Sequence, residues 1–239
     1  DRARQPMNSE DGSVVLSFNG EIYNHVELKD NLKNEYHFKS QSDTEVIINA
    51  YKELGENLWN NLNGMFAFAL WDKNKKVFYL VRDHYGIKPL YYSYHNDSLL
   101  FSSQIKGISL LDYFKVEYNY QSLWNYFSYF YVPGPETLIN GISSLNPGSY
   151  LKITNKTCTH HQYSNLKKNS NVKYDKKQII IDVKKNINKA VKKSTISDVP
   201  IGLFLSGGLD SSILLDEMNS IYKSKIKAFS LGSYENTYD

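Results

Sequence analysis

Leu205-Ser206-Gly207-Gly208-Leu209-Asp210-Ser211-Ser212 is the segment whose residue types point most directly to chemistry. A hydrophobic run, Val199 to Leu205, delivers the backbone into two glycines, and an apolar helix beginning Ile213-Leu214-Leu215 follows. Glycines let successive N–H groups turn toward one anion, and the N-terminus of the next helix adds positive potential. Ser206, Ser211 and Ser212 supply hydroxyl donors, and Asp210 is placed to hold a divalent cation against phosphates. The lysine and the wider glycine spacing of a Walker loop are missing. A second candidate is Asn19-Gly20-Glu21, with Asp43 further along. Asn19 offers an amide NH2 and Gly20 a sterically open N–H, the two donors that an oxyanion hole requires. Glu21 and Asp43 are two carboxylates that could hold an α-ammonium group. On these residues alone the plainer reading, an Asn-Gly turn and an Asp43 helix cap, is the stronger.

The elements that must position these groups follow from periodicity. Val14 to Phe18 reads as a strand entering the turn-prone Asn19-Gly20, and a helix is expected around Val26 to Asn34. Val46, Ile47, Ala50, Tyr51 and Leu54 mark one face of a further helix, with Asp43 to cap it and Gly55 to end it. Met65 to Trp71 with Val77 to Arg82, and Leu90 to Tyr94 with Leu99 to Ser102, read as two hairpins. Hairpins beside amphipathic helices predict an α+β architecture of antiparallel sheet with helical layers. An aromatic helix over Ser122 to Tyr131 is broken by Pro133-Gly134-Pro135. Residues Thr154 to Lys176 are polar and aperiodic and read as a linker. The helix after them, Lys176 to Lys193, is expected to bury Ile179, Ile180, Val183, Ile187, Ala190 and Val191. A second, α/β region therefore begins near residue 176.

A charge of +3 demands no polyanion, so no nucleic-acid partner is expected, and the lysines between Lys167 and Lys193 read as a solvated face. With Cys158 as the sole cysteine, neither an intrachain disulfide nor a cysteine-based zinc site is available. No apolar run approaches the roughly eighteen residues of a membrane span, and no signal peptide opens the chain. These features fit a cytoplasmic protein without a membrane partner. Asp1-Arg2-Ala3-Arg4 and the abrupt stop at Asp239 read as a chain cut from a longer one.

The loop at Ser206 resembles the pyrophosphate loop of the N-type ATP pyrophosphatases, Ser-Gly-Gly-x-Asp-Ser. A set of ordered segments resembles the glutaminase domain of asparagine synthetase B and its relatives, the class II (N-terminal nucleophile) glutamine amidotransferases. They are Gln5-Pro6-Met7, Asn19 to Asn24, Ser42 to Glu45, Gly64 to Asp72, Arg82 to Tyr92 and Phe101 to Lys106. The resemblance covers nearly the whole chain. It implies a four-layer αββα glutaminase domain of antiparallel sheets over 1–153, a linker over 154–175, and the start of a parallel-sheet ATP-pyrophosphatase domain over 176–239. It also implies ATP-dependent amidation of aspartate to asparagine with ammonia from glutamine, giving AMP, pyrophosphate and glutamate. Glutamine, aspartate and ATP would be the small-molecule substrates and Mg2+ the cation, with a homodimer as one assembly open to it.

By the same resemblance Asn19 and Gly20 match the oxyanion-hole pair, and Glu21 and Asp43 match residues that grip glutamine. Leu205, Ser206, Gly207, Gly208, Asp210, Ser211, Ser212 and Leu231 match the ATP site, with Asp210 reaching the metal through Mg2+-pyrophosphate. Arg82, Asp83, Lys88 and Pro89 match scaffold residues near a domain junction. The family's nucleophile is a cysteine after the initiator methionine, and no such cysteine stands here; Cys158 falls in the polar linker. This polypeptide is therefore not expected to hydrolyse glutamine. His160-His161 match no metal spacing, and Gln104 stands where the family has Glu. Two other readings stay open: a relative amidating another carboxylate, and a non-catalytic homologue.

Overall fold

Alternation of apolar and polar residues builds a sheet, and the first two-thirds of the chain is organised by that rule. The computed structural model describes residues 4–32, 34–95, 98–164, 175–196, 199–222 and 225–232. They form two compact units, 1–167 and 168–239.

The first unit runs β1 (Met7–Asn8), β2 (Val14–Ile22), α1 (His25–Leu32), α2 (Asp43–Leu54), α3 (Leu58–Asn61), β3 (Gly64–Asp72) and β4 (Val77–Arg82). It continues with β5 (Tyr91–His95), β6 (Ser98–Ser102), α4 (Ile105–Ser109), α5 (Tyr120–Tyr129), β7 (Ser143–Ser144), β8 (Ser149–Ile153) and β9 (Cys158–Gln162). Six strands form an antiparallel sheet in the order β1-β2-β3-β4-β8-β9, and β6-β5-β7 form a second. On one face of the large sheet, Leu16, Phe18 and Ile22 join Ile47, Tyr51, Leu58 and Trp59 of the helices in the main core. On the other face Ala67, Ala69, Leu80 and Leu151 meet Tyr92 of the second sheet and Leu90 just before it. That sheet's far side packs on α4 through Tyr91, Leu100, Ile105 and Ile108. The layers are thus α, β, β and α, as expected.

A polar network pins the helical layer to the sheet. Glu56, just after α2, accepts hydrogen bonds from Tyr79 and Tyr150 at 2.8 Å each and pairs with Lys152 at 2.7 Å. Burial pushes the Glu56 carboxyl up, but these donors outweigh it and hold its pKa below the ordinary 4.5. A carboxyl depressed by folding contributes stability above its unfolded pKa, and that contribution is lost as pH falls through the folded value. Urea midpoints are therefore expected to drop on acidification below about pH 4.5, and Glu56→Gln should flatten that part of the profile. An acid limb unchanged by the substitution would remove Glu56 as a cause.

Several elements depart from expectation. The Asn19-Gly20 pair is no turn: β2 runs on through Ile22, with Asn19 opposite Ala67 and Gly20 opposite Phe66. Ser42, not Asp43, caps α2, its hydroxyl accepting from the Thr44 N–H at 3.2 Å. The aromatic helix ends at Phe130 in a left-handed conformation, φ 59°, ahead of Pro133. Part of the polar stretch read as a linker is the edge strand β9, where one face needs no apolar cover. His161 stacks there on Tyr150 with ring centroids 4.9 Å apart.

The second unit contains α6 (Lys176–Ser194), β10 (Gly202–Phe204), α7 (Leu209–Ile221) and β11 (Lys227–Phe229). β10 and β11 pair in parallel, with α7 as the crossover that a parallel pair needs. Of the α6 face expected to be buried, Val191 alone is buried; Ile179, Ile180 and Val183 are exposed. The physical reason is limited cover: the Asn188–Glu217 and Thr195–Tyr222 hydrogen bonds hold its C-terminal half to α7 and the residue after it. Among the described residues no helix is long and apolar enough to cross a membrane.

Candidate active site

Side chains at Ser17, Asn19 and Glu21 point to the face of β2 opposite Leu16, Phe18 and Ile22, because strand side chains alternate. Asn19 therefore shares the face of Ala67, whose small side chain leaves room between the sheets. A cleft of ≈ 240 Å³ opens there, bordered by Ser17, Asn19, Ala67, Pro89, Phe101 and Ser103 among others. That volume lies below the ~300 Å³ lower end for drug-sized ligands and suits a molecule as small as one amino acid.

Backbone groups along β2 alternate in the same way. Leu16 pairs with Met7, the Phe18 N–H donates to Gln5 Oε1 at 2.6 Å, and the Ile22 N–H donates to Asp43 Oδ2 at 3.0 Å. All three lie on the edge facing away from β3. The Gly20 N–H falls on that edge between Phe18 and Ile22, and among the described residues no acceptor meets it. The structure thus places the Asn19 side chain, the Gly20 N–H, Glu21 and the Asp43 carboxylate around one corner of the sheet. Asp43 reaches that corner because Ser42 has taken the capping role.

Gly20 is held against β3 so closely that an added Cβ would lie 2.1 Å from the Met65 carbonyl oxygen. Asp83 fixes the far side of that contact. Its fully buried carboxylate accepts from the N–H groups of Phe66 (3.1 Å), Tyr85 (3.0 Å), Ile87 (3.0 Å) and Lys88 (2.9 Å). The Arg82 guanidinium donates to the carbonyls of Gly86, Lys88 and Leu145. One acid and one arginine thereby shape the 83–89 connection that carries Pro89 to the cleft. Burial pushes the adjacent His84 imidazole down, with the Asp83 charge pulling the other way.

In the second unit the loop leaves the C-terminal end of β10, the end at which parallel strands present ligand sites. Gly207 takes φ 76° with nothing within 4 Å of an added Cβ. Gly208 caps α7, leaving its first-turn N–H groups at the loop. Ser211 Oγ accepts from the Ser206 N–H at 3.3 Å, and the Ser211 and Ser212 hydroxyls reach the Gly208 carbonyl at 3.1 and 2.9 Å. Asp210 stands exposed in the first turn. Leu205 donates its N–H to the Phe229 carbonyl at 2.8 Å, and Ser230 donates to the Leu205 carbonyl at 2.7 Å. These bonds bring Leu231, 99% exposed, beside the loop. A glycine cradle, serine hydroxyls and a helix N-terminus fit a phosphate chain. A single carboxylate fits Mg2+, which keeps most of its waters and shares phosphate oxygens.

Residues 1–164 match the family described as glutamine amidotransferase domain. The chain belongs to that family. Residues 182–239 match the asparagine synthase family as well. It is 38% identical over 232 residues to an asparagine synthetase [glutamine-hydrolyzing] of Bacillus subtilis, covering 95% of this chain and 36% of that protein. It is 36% identical over 233 residues to a putative asparagine synthetase of Methanocaldococcus jannaschii, covering 95% of this chain and 44% of that one. The chain thus spans less than half the length of both relatives. A solved structure described as the allosteric regulatory enzyme of purine biosynthesis shares the fold, with TM-score 0.50 at 17% identity. That match covers 95% of this chain and 47% of the other.

Within the first unit Cys158 is remote from the corner. Through the register it lies level with Val15, four residues short of Asn19, and four strand spacings away, about 19 Å. Its thiol instead meets the Tyr94 hydroxyl. Sequence reasoning gave Gln5 no role of its own, though it fixes Phe18, and read Asp83 as scaffold, which is the part it plays in holding the 85–88 turn. For Asp83 the signal was an acid directly followed by a glycine-containing turn.

Proposed function

We propose that the region over 1–153 binds glutamine and that the region over 176–239 binds ATP, joined by the segment 154–175, in a glutamine-dependent ligase. Asn19 and Gly20 form the oxyanion hole, and Glu21 and Asp43 hold the α-ammonium group of glutamine. Leu205, Ser206, Gly207, Gly208, Ser211, Ser212 and Leu231 receive ATP, and Asp210 holds Mg2+ on its phosphates. Mg2+ supplies charge neutralisation to the pyrophosphate leaving group. The whole reaction is amidation of aspartate to asparagine, with AMP, pyrophosphate and glutamate as the other products, in the cytoplasm. The observation that carries this reading is the end of β2: the Asn19 side chain borders an amino-acid-sized cleft, and the unmet Gly20 N–H, Glu21 and, at Ile22, the Asp43 carboxylate follow in the next three residues.

With Cys158 four strands across and four residues along the sheet from Asn19, this polypeptide binds glutamine without hydrolysing it. Backbone NMR should show glutamine shifting Asn19 to Ile22 and Asp43, and pyrophosphate with Mg2+ shifting Gly207 to Ser212. Ser206→Ala and Asp210→Asn should each weaken the pyrophosphate response several-fold, the latter only with Mg2+ present. Glutamine shifts that miss the corner would refute the first assignment, and a loop indifferent to pyrophosphate the second. In a chain of the relatives' length, amide-labelled glutamine should yield labelled asparagine. Asparagine from added ammonium alone would count against the glutamine half, and none at all against aspartate as acceptor.

A further inference from the structure

A larger cavity, ≈ 420 Å³, lies beside β1 and shares no bordering residue with the cleft. Its walls are the 7–10 edge, the 35–39 segment and one face of α2. That face carries Glu45, Ile48, Asn49 and Lys52, spaced i, i+3, i+4 and i+7. Its volume falls in the range of small-molecule sites.

Asn49 is the group that structure alone does not explain. It is 8% exposed, its helical neighbours Val46, Ile47, Ile48, Ala50 and Tyr51 are buried and apolar, and its side chain borders the cavity. Among the described residues no hydrogen bond reaches that amide. The amide opens on the cavity, where a polar molecule can meet it, and a leucine there would fill the same place in the helix without offering a donor or an acceptor.

The other groups at the cavity sort into used and unused. Lys39 pairs with Glu10 at 3.0 Å and Lys52 with Asp11 at 2.8 Å. Glu45 accepts from the Lys39 and Ser40 N–H groups and the Ser40 hydroxyl at 2.6 to 2.8 Å. Glu35 has no ion-pair partner among the described residues. Ser9 donates to the Val14 carbonyl and Met7 pairs with Leu16, so the Asn8 N–H and C=O turn to the open edge. What remains is a carboxylate, an amide, the His37 imidazole and a strand edge. That set complements an ammonium and a carboxylate carried on one small molecule.

We infer that this cavity binds a free α-amino acid as a zwitterion, its ammonium toward Glu35 and its carboxylate toward Asn49, His37 and the Asn8 N–H. The inference does not rest on the glutamine or nucleotide assignments, since Asn19 and the 205–212 loop border neither wall.

The test is NMR on the labelled chain, titrated with glycine, L-asparagine, L-aspartate and L-lysine at millimolar concentrations. Putrescine and propionate serve as the lone-cation and lone-anion probes. At least one amino acid should saturably shift the Asn49 side-chain amide and the backbone of Glu45 to Lys52. Asn49→Leu should weaken that binding by about tenfold or more while the chain stays folded. Glu35→Gln should weaken it without unfolding the chain. The proposal fails if no amino acid gives a saturable shift, if Asn49→Leu binds as the wild type does, or if the shifts fall on Asn19 and Phe101. It fails equally if putrescine or propionate binds as tightly as any amino acid.

Discussion

Asp83→Ala is expected to destabilise the first unit by about 3 kcal/mol or more, read as a lowered urea midpoint. The carboxylate is fully buried and serves four N–H donors, two on each oxygen. Three of them belong to the 85–88 turn, where Tyr85 and Ile87 are exposed and water can replace the lost acceptor. The fourth, on Phe66, sits in the core and has no such recourse. Removing the carboxylate also removes the desolvation cost of a buried charge, which offsets part of the loss. Asp83→Asn sharpens the test: its single oxygen retains two acceptor positions while its NH2 faces N–H donors. It should therefore recover less than half of the stability. The same substitution loosens the path to Pro89, so glutamine binding should weaken even where the unit stays folded. A loss under about 1 kcal/mol for alanine would mean the turn holds its shape without the acid.

Legibility differed by the range of the interaction that decides each feature. The β3 and β4 strands were readable to within a residue because Met65 to Trp71 and Val77 to Arg82 are long apolar runs bounded by a lysine-rich turn. Sheet order was not, since β4 pairs with β8 across some seventy residues and no local pattern encodes that partner. Asn19-Gly20 illustrates a local preference overruled: the pair favours a turn, yet the strand partner at Phe66 and Ala67 keeps it in the sheet. Ser42 and Asp43 are both good caps, and only the Ile22 N–H, twenty-one residues away in the chain, decides which is free for the site. The α6 face was read correctly as apolar but not its cover, because burial belongs to neighbours rather than to the helix. The 205–212 loop was legible as a whole, because a glycine cradle between strand and helix is local chemistry. The oxyanion-hole assignment needed the ordered family motifs, since neither donor is unusual by itself.

Gly20→Ala puts the close approach of β2 and β3 to a direct test and is expected to have the larger effect on glutamine binding. An added Cβ would lie 2.1 Å from the Met65 carbonyl oxygen and 2.7 Å from the Phe66 Cα. Both are backbone atoms, so no rotamer change relieves the clash; one strand must move. The pairing from Val14 to Ile22 resists that movement along its whole length. Overpacking of this kind costs about 3 kcal/mol, toward the upper end of its usual range. Gly12→Ala supplies the comparison, because φ there is +67° and nothing lies within 4 Å of a Cβ. That change carries only the strain of a left-handed residue, about 1 kcal/mol. Gly20 itself has φ +156°, a conformation L-residues rarely adopt, so the excess of Gly20→Ala over Gly12→Ala measures the interstrand contact together with that backbone strain. Any strand separation also carries the Gly20 N–H and Asn19 away from Asp43, whose bond to Ile22 defines the corner. Glutamine binding by calorimetry should disappear in Gly20→Ala and persist in Gly12→Ala. Equal stability of the two variants would show that the strands yield at this point, and retained binding would place the glutamine donors elsewhere.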